Sequence, residues 1–338
     1  MALMRYRKWI FTFALLTILL ILILKLDFFS WWMSASTATF DLDFLNYKFH
    51  SDPHVKMAYP EPFIHQPSAK HNSTLILLHG TSQDGPSFGR AFLSAPIQDN
   101  KTLPQLLQGT RFIFPTGRLR YCAVLGRESH AWFDFQSFSD RTLNESSQIG
   151  GLSESTQYLS QLAKAEEKLL KGRGNVVIGG FSQGTAMSGI ALLSGELGRI
   201  SGFLGLSGWL PFRKQIYEGI FLPGGQNCDE RARCVGAAMG YVRKLLDLAP
   251  TQEGGEEVRE VLDVKAWFGH GEDDTKMRPD WGRDMAELLS GIGIDVTFKG
   301  YEGLGHWWNE KEMGDLVVWL RGTWNDDERM PLADVTKI

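Results

Sequence analysis

The sequence is short of cysteine and of positive charge, and both shortages exclude classes of protein. Its 338 residues include three cysteines, none in a C-x-x-C pair, which is too few for a scaffold built from disulfides. The 35 lysine and arginine residues are outnumbered by 39 aspartate and glutamate residues, so no overall basic field exists to hold a phosphate backbone. We therefore expect no nucleic-acid partner. The sequence leaves open whether Cys228 and Cys234 form a small loop-closing bridge, because it does not show the distance between them.

One long apolar run is present, at the N-terminus. It extends from Trp9 to Leu24, follows several basic residues and is interrupted only by two threonines. We expect residues 1–33 to be a cytoplasmic tail and a single-pass membrane anchor, with the rest of the chain in the lumen or outside the cell, because positive charge precedes the segment. The alternative is a signal peptide whose cleavage yields a secreted protein. Three N-x-S/T sequons, at Asn72, Asn100 and Asn144, agree with either route.

The remaining chain divides by composition and periodicity. Residues 34–71 are rich in Ser, Thr, His and Pro, and we expect a stalk and the approach to a domain. We assign residues 72–322 to one α/β domain with an insertion at about 212–260, and residues 323–338 to a C-terminal tail. The insertion lies where a loop near the carboxyl ends of strands can cap a pocket; a surface excursion without a role is the alternative.

Short apolar runs separated by helical patterns predict the architecture of this domain. Because strands that alternate with helices favour parallel pairing with helices on both faces, we expect an α/β fold with a mainly parallel, doubly wound sheet. Strands are expected at Leu75–Leu78, Phe112–Phe114, Val176–Ile178, Phe203–Leu206, Val264–Phe268 and Val296–Phe298, and helices at Leu152–Leu170, after Ser182, at Asp280–Leu289 and at Glu310–Leu320.

A serine stands between two of these elements in the pattern G-x-S-x-G. The segment Gly180-Phe181-Ser182-Gln183-Gly184 follows the apolar run Val176–Ile178 and precedes a helical stretch from Thr185 to Leu193. A strand, a sharp turn and a helix are the setting of a nucleophile elbow, in which the glycines permit a strained turn with the serine at its tip. Ser182 is therefore the predicted nucleophile of acyl transfer.

The base has to lie downstream of Ser182, because the chain order of such sites is serine, then acid, then histidine. His270 and His306 are the two histidines there. His306 is the better candidate, since it lies in a loop between the last apolar run and the final helix, whereas His270 ends a strand and is expected to shape the next turn. The acid that orients the base is one of three adjacent residues, between which spacing does not choose: Glu272, Asp273 and Asp274.

Acyl transfer also needs donors for the negative charge that develops on the carbonyl oxygen. The backbone amide of Thr81 follows the first expected strand and a His79-Gly80 pair, and the amide of Gln183 follows the nucleophile. Backbone amides at both positions typically form the oxyanion hole of an enzyme with a nucleophile elbow. His79 lies upstream of Ser182, and we expect a structural role for it.

Four groups of segments together resemble the phospholipase/carboxylesterase family, which includes acyl-protein thioesterases and lysophospholipases. They are Leu77-Leu78-His79-Gly80 with Asp84-Gly85, Trp132-Phe133-Asp134, Gly179–Gly184 with Leu206–Pro211, and His270–Asp274 with Tyr301–His306. The resemblance implies an α/β-hydrolase fold. It also implies that Asp274, at the second acidic position of a family H-G-D-x-D motif, completes the triad, with Glu272 at the first. Trp132, Trp209 and Leu210 are the candidates that line the substrate pocket.

The expected function is hydrolysis of carboxylic esters or thioesters of acyl groups, with no metal and no organic cofactor. Acyl-protein thioesterase (depalmitoylation) and lysophospholipase activity are the alternatives. Depalmitoylation by the family takes place on the cytosolic face, which conflicts with the membrane topology expected above. A catalytically silent binding protein on the same scaffold is a hypothesis of a different class, and the complete set of candidate triad residues argues against it.

Overall fold

A computed structural model describes residues 59–171, 175–220, 230–252 and 254–324. A seven-stranded sheet forms its centre. Its strands are β1 (Phe63–His65), β2 (Ser73–Leu78), β3 (Thr110–Phe114), β6 (Val176–Phe181), β7 (Gly202–Leu206), β8 (Lys265–Gly271) and β9 (Asp295–Tyr301). They lie side by side in the order β1-β3-β2-β6-β7-β8-β9, and every strand except the antiparallel edge strand β1 pairs in parallel. All six apolar runs expected as strands lie in this sheet, so the predicted mainly parallel sheet is confirmed.

The alternation of side chains along each strand divides the core between two faces. In β2, Leu75 and Leu77 join one hydrophobic cluster, whereas Ile76 and Leu78 join the other. Successive side chains of a strand point to opposite faces, so a strand buried on both faces is apolar at every position. This is why the parallel strands are visible as uninterrupted apolar runs in the sequence.

Helices cover both faces of the sheet. They are α1 (Gly85–Leu93), α2 (Leu103–Leu106), α3 (Ile149–Leu169), α4 (Gln183–Ser194), α5 (Arg213–Ile220), α6 (Arg231–Leu245), α7 (Glu256–Leu262), α8 (Pro279–Gly291) and α9 (Glu310–Thr323). Residues of α1 and α9 belong to one hydrophobic cluster, and residues of α3 to α8 belong to the other. The four helices expected from periodicity correspond to α3, α4, α8 and α9.

The segment assigned to an insertion contains α5, α6 and α7, between β7 and β8. Helix α6 packs against α4 and buries Val235, Ala238 and Met239. These described helices therefore extend the hydrophobic layer on one face of the sheet.

Three short strands have no counterpart in the sequence expectations. Strand β1 lies within the segment 34–71 that we assigned to a stalk, and β4 (Leu119–Cys122) and β5 (Arg127–His130) form a separate antiparallel hairpin. Their three or four residues mix polar and apolar side chains, so neither an apolar run nor a strict alternation marks them. Edge strands and hairpins of this kind form because they pair with a neighbouring strand, and the local sequence does not show that pairing.

The two described cysteines, Cys122 and Cys234, differ in oxidation state. Cys122, at the end of β4, is buried and has a free thiol. Cys234 in α6 is disulfide-bonded, and Cys228 lies outside the described residues.

The prediction of a single-pass membrane protein with a luminal or extracellular domain is wrong. Within residues 59–324, gaps excepted, no helix is long and apolar enough to cross a membrane. The longest of these helices, α3, carries Glu154, Lys164 and Lys168 and packs one face on the sheet, which is the pattern of a helix at the surface of a domain. The apolar run from Trp9 to Leu24, on which the prediction depended, lies outside the described residues.

Helix α9 brings an unusual carboxyl group into the core. Glu312 is 1% exposed, both of its carboxyl oxygens are buried without a hydrogen-bond partner, and one of them lies against Gly269 of β8. Burial, reinforced by the negative charge of Asp315, raises the pKa of Glu312 to about 8. The folded protein therefore keeps Glu312 protonated at neutral pH, whereas the unfolded chain ionises it above pH ~4.5.

We expect Glu312→Gln to stabilise the protein in a pH-dependent way. A folded-state pKa above the unfolded value means that the wild type loses stability as pH rises from ~4.5 to ~8, and a neutral glutamine does not. The gain in free energy of unfolding should be near zero at pH ~4 and on the order of 2–4 kcal/mol at pH ~8. Urea denaturation of the two proteins across this range measures it. The exposed Glu310→Gln provides the control, and a gain that is equal at every pH would contradict the assignment.

Candidate active site

Ser182 stands at a strained turn between β6 and α4. Its backbone has φ 56° and ψ −117°, a left-handed conformation that non-glycine residues avoid. A Cβ atom at Gly180 would lie 2.1 Å from the carbonyl carbon of Gly184, and one at Gly184 would lie 2.2 Å from the carbonyl oxygen of Leu78. Only glycine fits these two positions, because backbone approaches backbone there. The turn thus has the geometry of a nucleophile elbow, with the Ser182 side chain at its tip.

His306 lies beside this turn, on the loop between β9 and α9. Its ring is 4.7 Å from the ring of Phe181, the residue before Ser182. Its Nδ1 lies 2.7 Å from Oδ2 of Asp274, and a carboxylate there accepts a hydrogen bond from the protonated Nδ1 and leaves Nε2 free as a base. Within the described residues no hydrogen bond joins Ser182 to His306; such bonds are often long in a free enzyme and shorten with substrate.

Asp274 is the acid that the structure brings to His306. Its side chain is fully buried, and its Oδ1 accepts hydrogen bonds from the backbone amides of Lys276 and Met277. Burial alone raises the pKa of Asp274, but hydrogen bonds to His270, His306 and the Met277 amide outweigh it and hold the pKa well below its usual value. Asp274 is therefore ionised at neutral pH. The other two acids that spacing left open, Glu272 and Asp273, are exposed.

His270, the second histidine downstream of the serine, is enclosed. It is 1% exposed, and its Nε2 lies 2.9 Å from the carbonyl oxygen of Met277 and 3.5 Å from Oδ2 of Asp274. Helix α8 packs over the other side of the ring, where a Cβ at Gly282 would be 2.3 Å from Nδ1. His270 therefore supports Asp274 from behind, as a residue that shapes the turn.

The two backbone amides expected in an oxyanion hole are both unoccupied. Within the described residues, neither the amide of Thr81 nor that of Gln183 donates to a protein acceptor. Gln183 is the first residue of α4, so its amide belongs to the end of the helix that carries partial positive charge. Both amides are available to an oxyanion.

The loop that carries the Thr81 amide is held by buried polar contacts. His79 is fully buried; its Nδ1 donates to the carbonyl oxygen of Gly80 at 2.7 Å, and its Nε2 accepts from the amide of Gly117 at 2.9 Å. Burial lowers the pKa of His79 to about 4, so the ring is neutral at neutral pH, as this pairing requires. Gln83 adds a hydrogen bond to the Gly80 amide at 3.0 Å. His79 has a structural role in positioning the Thr81 amide.

The residues predicted to line a pocket lie beneath the site. Trp132 is fully buried, and its indole nitrogen donates to the carbonyl oxygen of His79 at 2.9 Å. Its backbone amide donates to the side chain of Gln183 at 3.3 Å. Trp209 and Leu210, on the loop after β7, are each 4% exposed. All three side chains are buried, and Trp132 is the one that holds the His79 loop and the side chain of Gln183.

Sequence reasoning missed an exposed aromatic residue at the site. Trp307, next to His306, is 42% exposed, contacts the ring of Phe181 at 5.5 Å and stacks on Trp308 at 3.9 Å. It offers an apolar surface beside His306. The Trp-Trp pair after His306 is visible in the sequence, but nothing in a pattern shows which of two adjacent tryptophans faces solvent.

No metal site accompanies these residues in the ranges that the structure describes: no group of three or more His, Cys, Asp or Glu side chains is arranged to hold an ion.

The chain is similar to known proteins over most of its length. The profile of the family described as phospholipase/carboxylesterase matches residues 59–223. Acyl-protein thioesterase 1 of Gibberella zeae is 25% identical over 77% of this chain and 94% of its own length. Lysophospholipase-like protein 1 of Mus musculus is 24% identical over 75% of this chain and 88% of its own length. The likeness to acyl-protein thioesterases also counts against the luminal or extracellular placement expected from the N-terminal segment.

Among solved structures, the crystal structure of acyl-protein thioesterase 2 from Zea mays matches with a TM-score of 0.56 and 22% identity, over 79% of this chain and all of that one. At this level of identity the likeness shows the fold, which is the α/β-hydrolase fold.

Proposed function

The chain belongs to the phospholipase/carboxylesterase family of ester and thioester hydrolases, and we propose that it cleaves acyl esters or thioesters with Ser182, His306 and Asp274 as a catalytic triad. One observation carries the proposal. Nδ1 of His306 lies 2.7 Å from the buried Asp274 carboxylate while the same ring packs on Phe181, beside the strained Ser182. A base that is oriented by an acid and lies next to an elbow serine is the arrangement that nucleophilic catalysis of acyl transfer needs.

The proposed reaction has two halves. Ser182 Oγ attacks the acyl carbonyl while Nε2 of His306 takes the hydroxyl proton, and the tetrahedral oxyanion is stabilised by the Thr81 and Gln183 amides. The intermediate collapses, the bond to the leaving oxygen or sulfur breaks, and His306 returns the proton to that atom. Water then attacks the acyl-enzyme with the same base, which releases the carboxylic acid and regenerates Ser182. Asp274 stabilises the His306 imidazolium in both halves.

The finer substrate proposal is a long acyl chain on a thioester or a lysophospholipid. Two observations favour it: relatives along most of the chain are named acyl-protein thioesterase 1 and lysophospholipase-like protein 1, and the half-exposed Trp307 offers apolar surface beside the base. A screen of p-nitrophenyl esters of graded chain length, beside a lysophospholipid and a palmitoylated peptide, tests it. Fastest turnover of the shortest ester, with neither long-chain substrate cleaved, would reject this substrate class.

A fluorophosphonate probe tests the proposed activity directly, because it phosphonylates only an activated serine. We expect the full-length wild type to be labelled and Ser182→Ala to be unlabelled. Ser139→Ala, which alters an exposed serine outside the site, should be labelled like the wild type. An unlabelled wild type would favour the silent binding protein over the hydrolase.

A further inference from the structure

Arg141 is a buried cation that no proposed catalytic step uses. Only 7% of its surface is exposed. Its guanidinium carbon lies 4.5 Å from the ring centroids of Phe135 and Trp209, and 5.3 and 5.7 Å from those of Phe138 and Trp281. We call Arg141 and these four rings the arginine cage.

The charge in the arginine cage has no counter-ion among the described residues, where no carboxylate comes within 4.0 Å of the Arg141 guanidinium. Burial alone lowers the pKa of Arg141, to about 10. The side chain therefore stays protonated at neutral pH. Burial of an unpaired cation is costly, and contacts to aromatic faces offset only part of that cost. An anion in the cage would remove the remaining cost.

Two unused hydrogen-bond donors lie in the same cage. Nη1 of Arg141 donates to the carbonyl oxygen of Ser137 at 3.2 Å, but the buried Nε of Arg141 has no acceptor. The indole Nε1 of Trp209 is also buried and has none. Buried donors are nearly always paired in folded proteins, so two orphans beside an uncompensated positive charge indicate a missing acceptor. The guanidinium fork suits the paired oxygens of a phosphate or a carboxylate.

The arginine cage adjoins Ser182 through a short chain of contacts. The ring of Trp209 lies 6.0 Å from the ring of Phe133, whose carbonyl oxygen accepts a hydrogen bond from Nε2 of Gln183 at 2.7 Å. Gln183 is the residue after Ser182 and supplies one of the two free amides. Trp209 is thus linked through one intervening residue to the residue that follows Ser182, so the cage adjoins the part of the site that Gln183 forms.

We propose that Arg141 and Trp209 bind an anionic oxygen group, a phosphate or a carboxylate, that is carried by the acyl substrate. The inference rests on the proposed hydrolase function and narrows its substrates to acyl esters or thioesters with a negative group near the scissile bond. Arg141 is a specificity residue in this proposal, and the chemistry stays with Ser182, His306 and Asp274.

A pair of substrates that differ only in charge tests the specificity. We expect the full-length wild type to hydrolyse a 1-acylglycerol 3-phosphate with at least ~10-fold higher kcat/KM than the 1-acylglycerol with the same acyl chain. In Arg141→Gln this ratio of kcat/KM values should fall at least ~10-fold, mainly because KM for the phosphate-bearing substrate rises. It should fall less in Arg141→Lys, which keeps the positive charge but lacks the planar guanidinium group. The exposed Arg127→Gln should keep the wild-type ratio. Equal losses on both substrates in Arg141→Gln would mean a structural role and overturn the proposal.

Binding of the anion alone can be measured without turnover. We expect inorganic phosphate to raise the Tm of full-length Ser182→Ala saturably, relative to chloride at equal ionic strength, and the rise to disappear in Ser182→Ala/Arg141→Gln. A rise with acetate as well would extend the ligand to carboxylates, and a rise with phosphate alone would restrict it to phosphates; both support the proposal. No rise with either anion overturns it. Because the Tm shift needs no catalysis, the two proposals can fail separately. If phosphate and acetate do not bind but the wild type hydrolyses esters, only the proposed anion site is rejected. If an anion binds but the wild type hydrolyses no ester, only the proposed hydrolase activity is rejected.

Discussion

Ser182→Ala and His306→Ala should each lower kcat for acyl ester hydrolysis by a factor on the order of 10⁵–10⁶. Without the hydroxyl no acyl-enzyme forms, and without the imidazole no group takes the proton of Ser182 as it attacks. The two side chains act as one unit, so the double variant should be no slower than either single variant. Turnover of a p-nitrophenyl ester measures the loss of kcat and the residual rate. A residual rate is expected because these variants keep the free amides of Thr81 and Gln183.

The matched control for this pair is His65→Ala. His65 lies on the edge strand β1, paired with Phe112 across the sheet, and takes no part in the site. Its replacement should leave kcat within a factor of about 2. If His306→Ala kept more than a tenth of the wild-type kcat, another residue would have to be the base, and the proposed mechanism would fail at its first step.

Asp274→Asn should lower kcat by about 10⁴-fold with little effect on KM. The reason lies in the 2.7 Å contact between Oδ2 of Asp274 and Nδ1 of His306. A carboxylate accepts a hydrogen bond from Nδ1–H and so leaves Nε2 as the base. An amide can instead donate to Nδ1, which holds the ring in the wrong tautomer, and it does not stabilise the imidazolium.

The neighbouring acid provides the control for Asp274. Asp273→Asn changes the same chemistry one residue away, but the Asp273 side chain is exposed, and we expect kcat within a factor of about 3 of the wild type. Steady-state kinetics of the two asparagine variants, with circular dichroism to show that each is folded, decides the comparison. Comparable losses in both variants would mean that charge in this loop, and not the contact to His306, supports catalysis.

The fold could be predicted where local pattern and burial agree. Strand β2 is buried on both faces, so its last four residues, Leu75–Leu78, are all apolar and the run stands out in the sequence. Strand β1 and the β4–β5 hairpin could not be predicted, because three or four mixed residues carry no periodicity. The membrane prediction came from the N-terminal composition and the charge rule alone, and it was wrong.

Some residues of the candidate site could likewise be predicted from the sequence, and others could not. Ser182 was recognisable because its turn needs glycines two residues away on either side, a backbone requirement that is written into the sequence. The choice of Asp274 over Glu272 and Asp273 rested on a family resemblance, since three adjacent acids look alike until burial separates them. The support of the Thr81 loop by His79 and Trp132 joins residues about fifty positions apart, and no spacing predicts such a contact.

The sequence by itself determined the order of the six apolar strands and the four helices with clear periodicity, the serine turn and the histidine downstream of it, because each depends on residues that are neighbours in the chain. Only the tertiary structure decided which acid meets His306, which tryptophan faces solvent and that Arg141 is buried with no counter-ion among the described residues. These properties are set by burial and by contacts between distant segments, and burial is a property of the packed molecule. The bare chain contains the residues of the arginine cage, and folding brings them together.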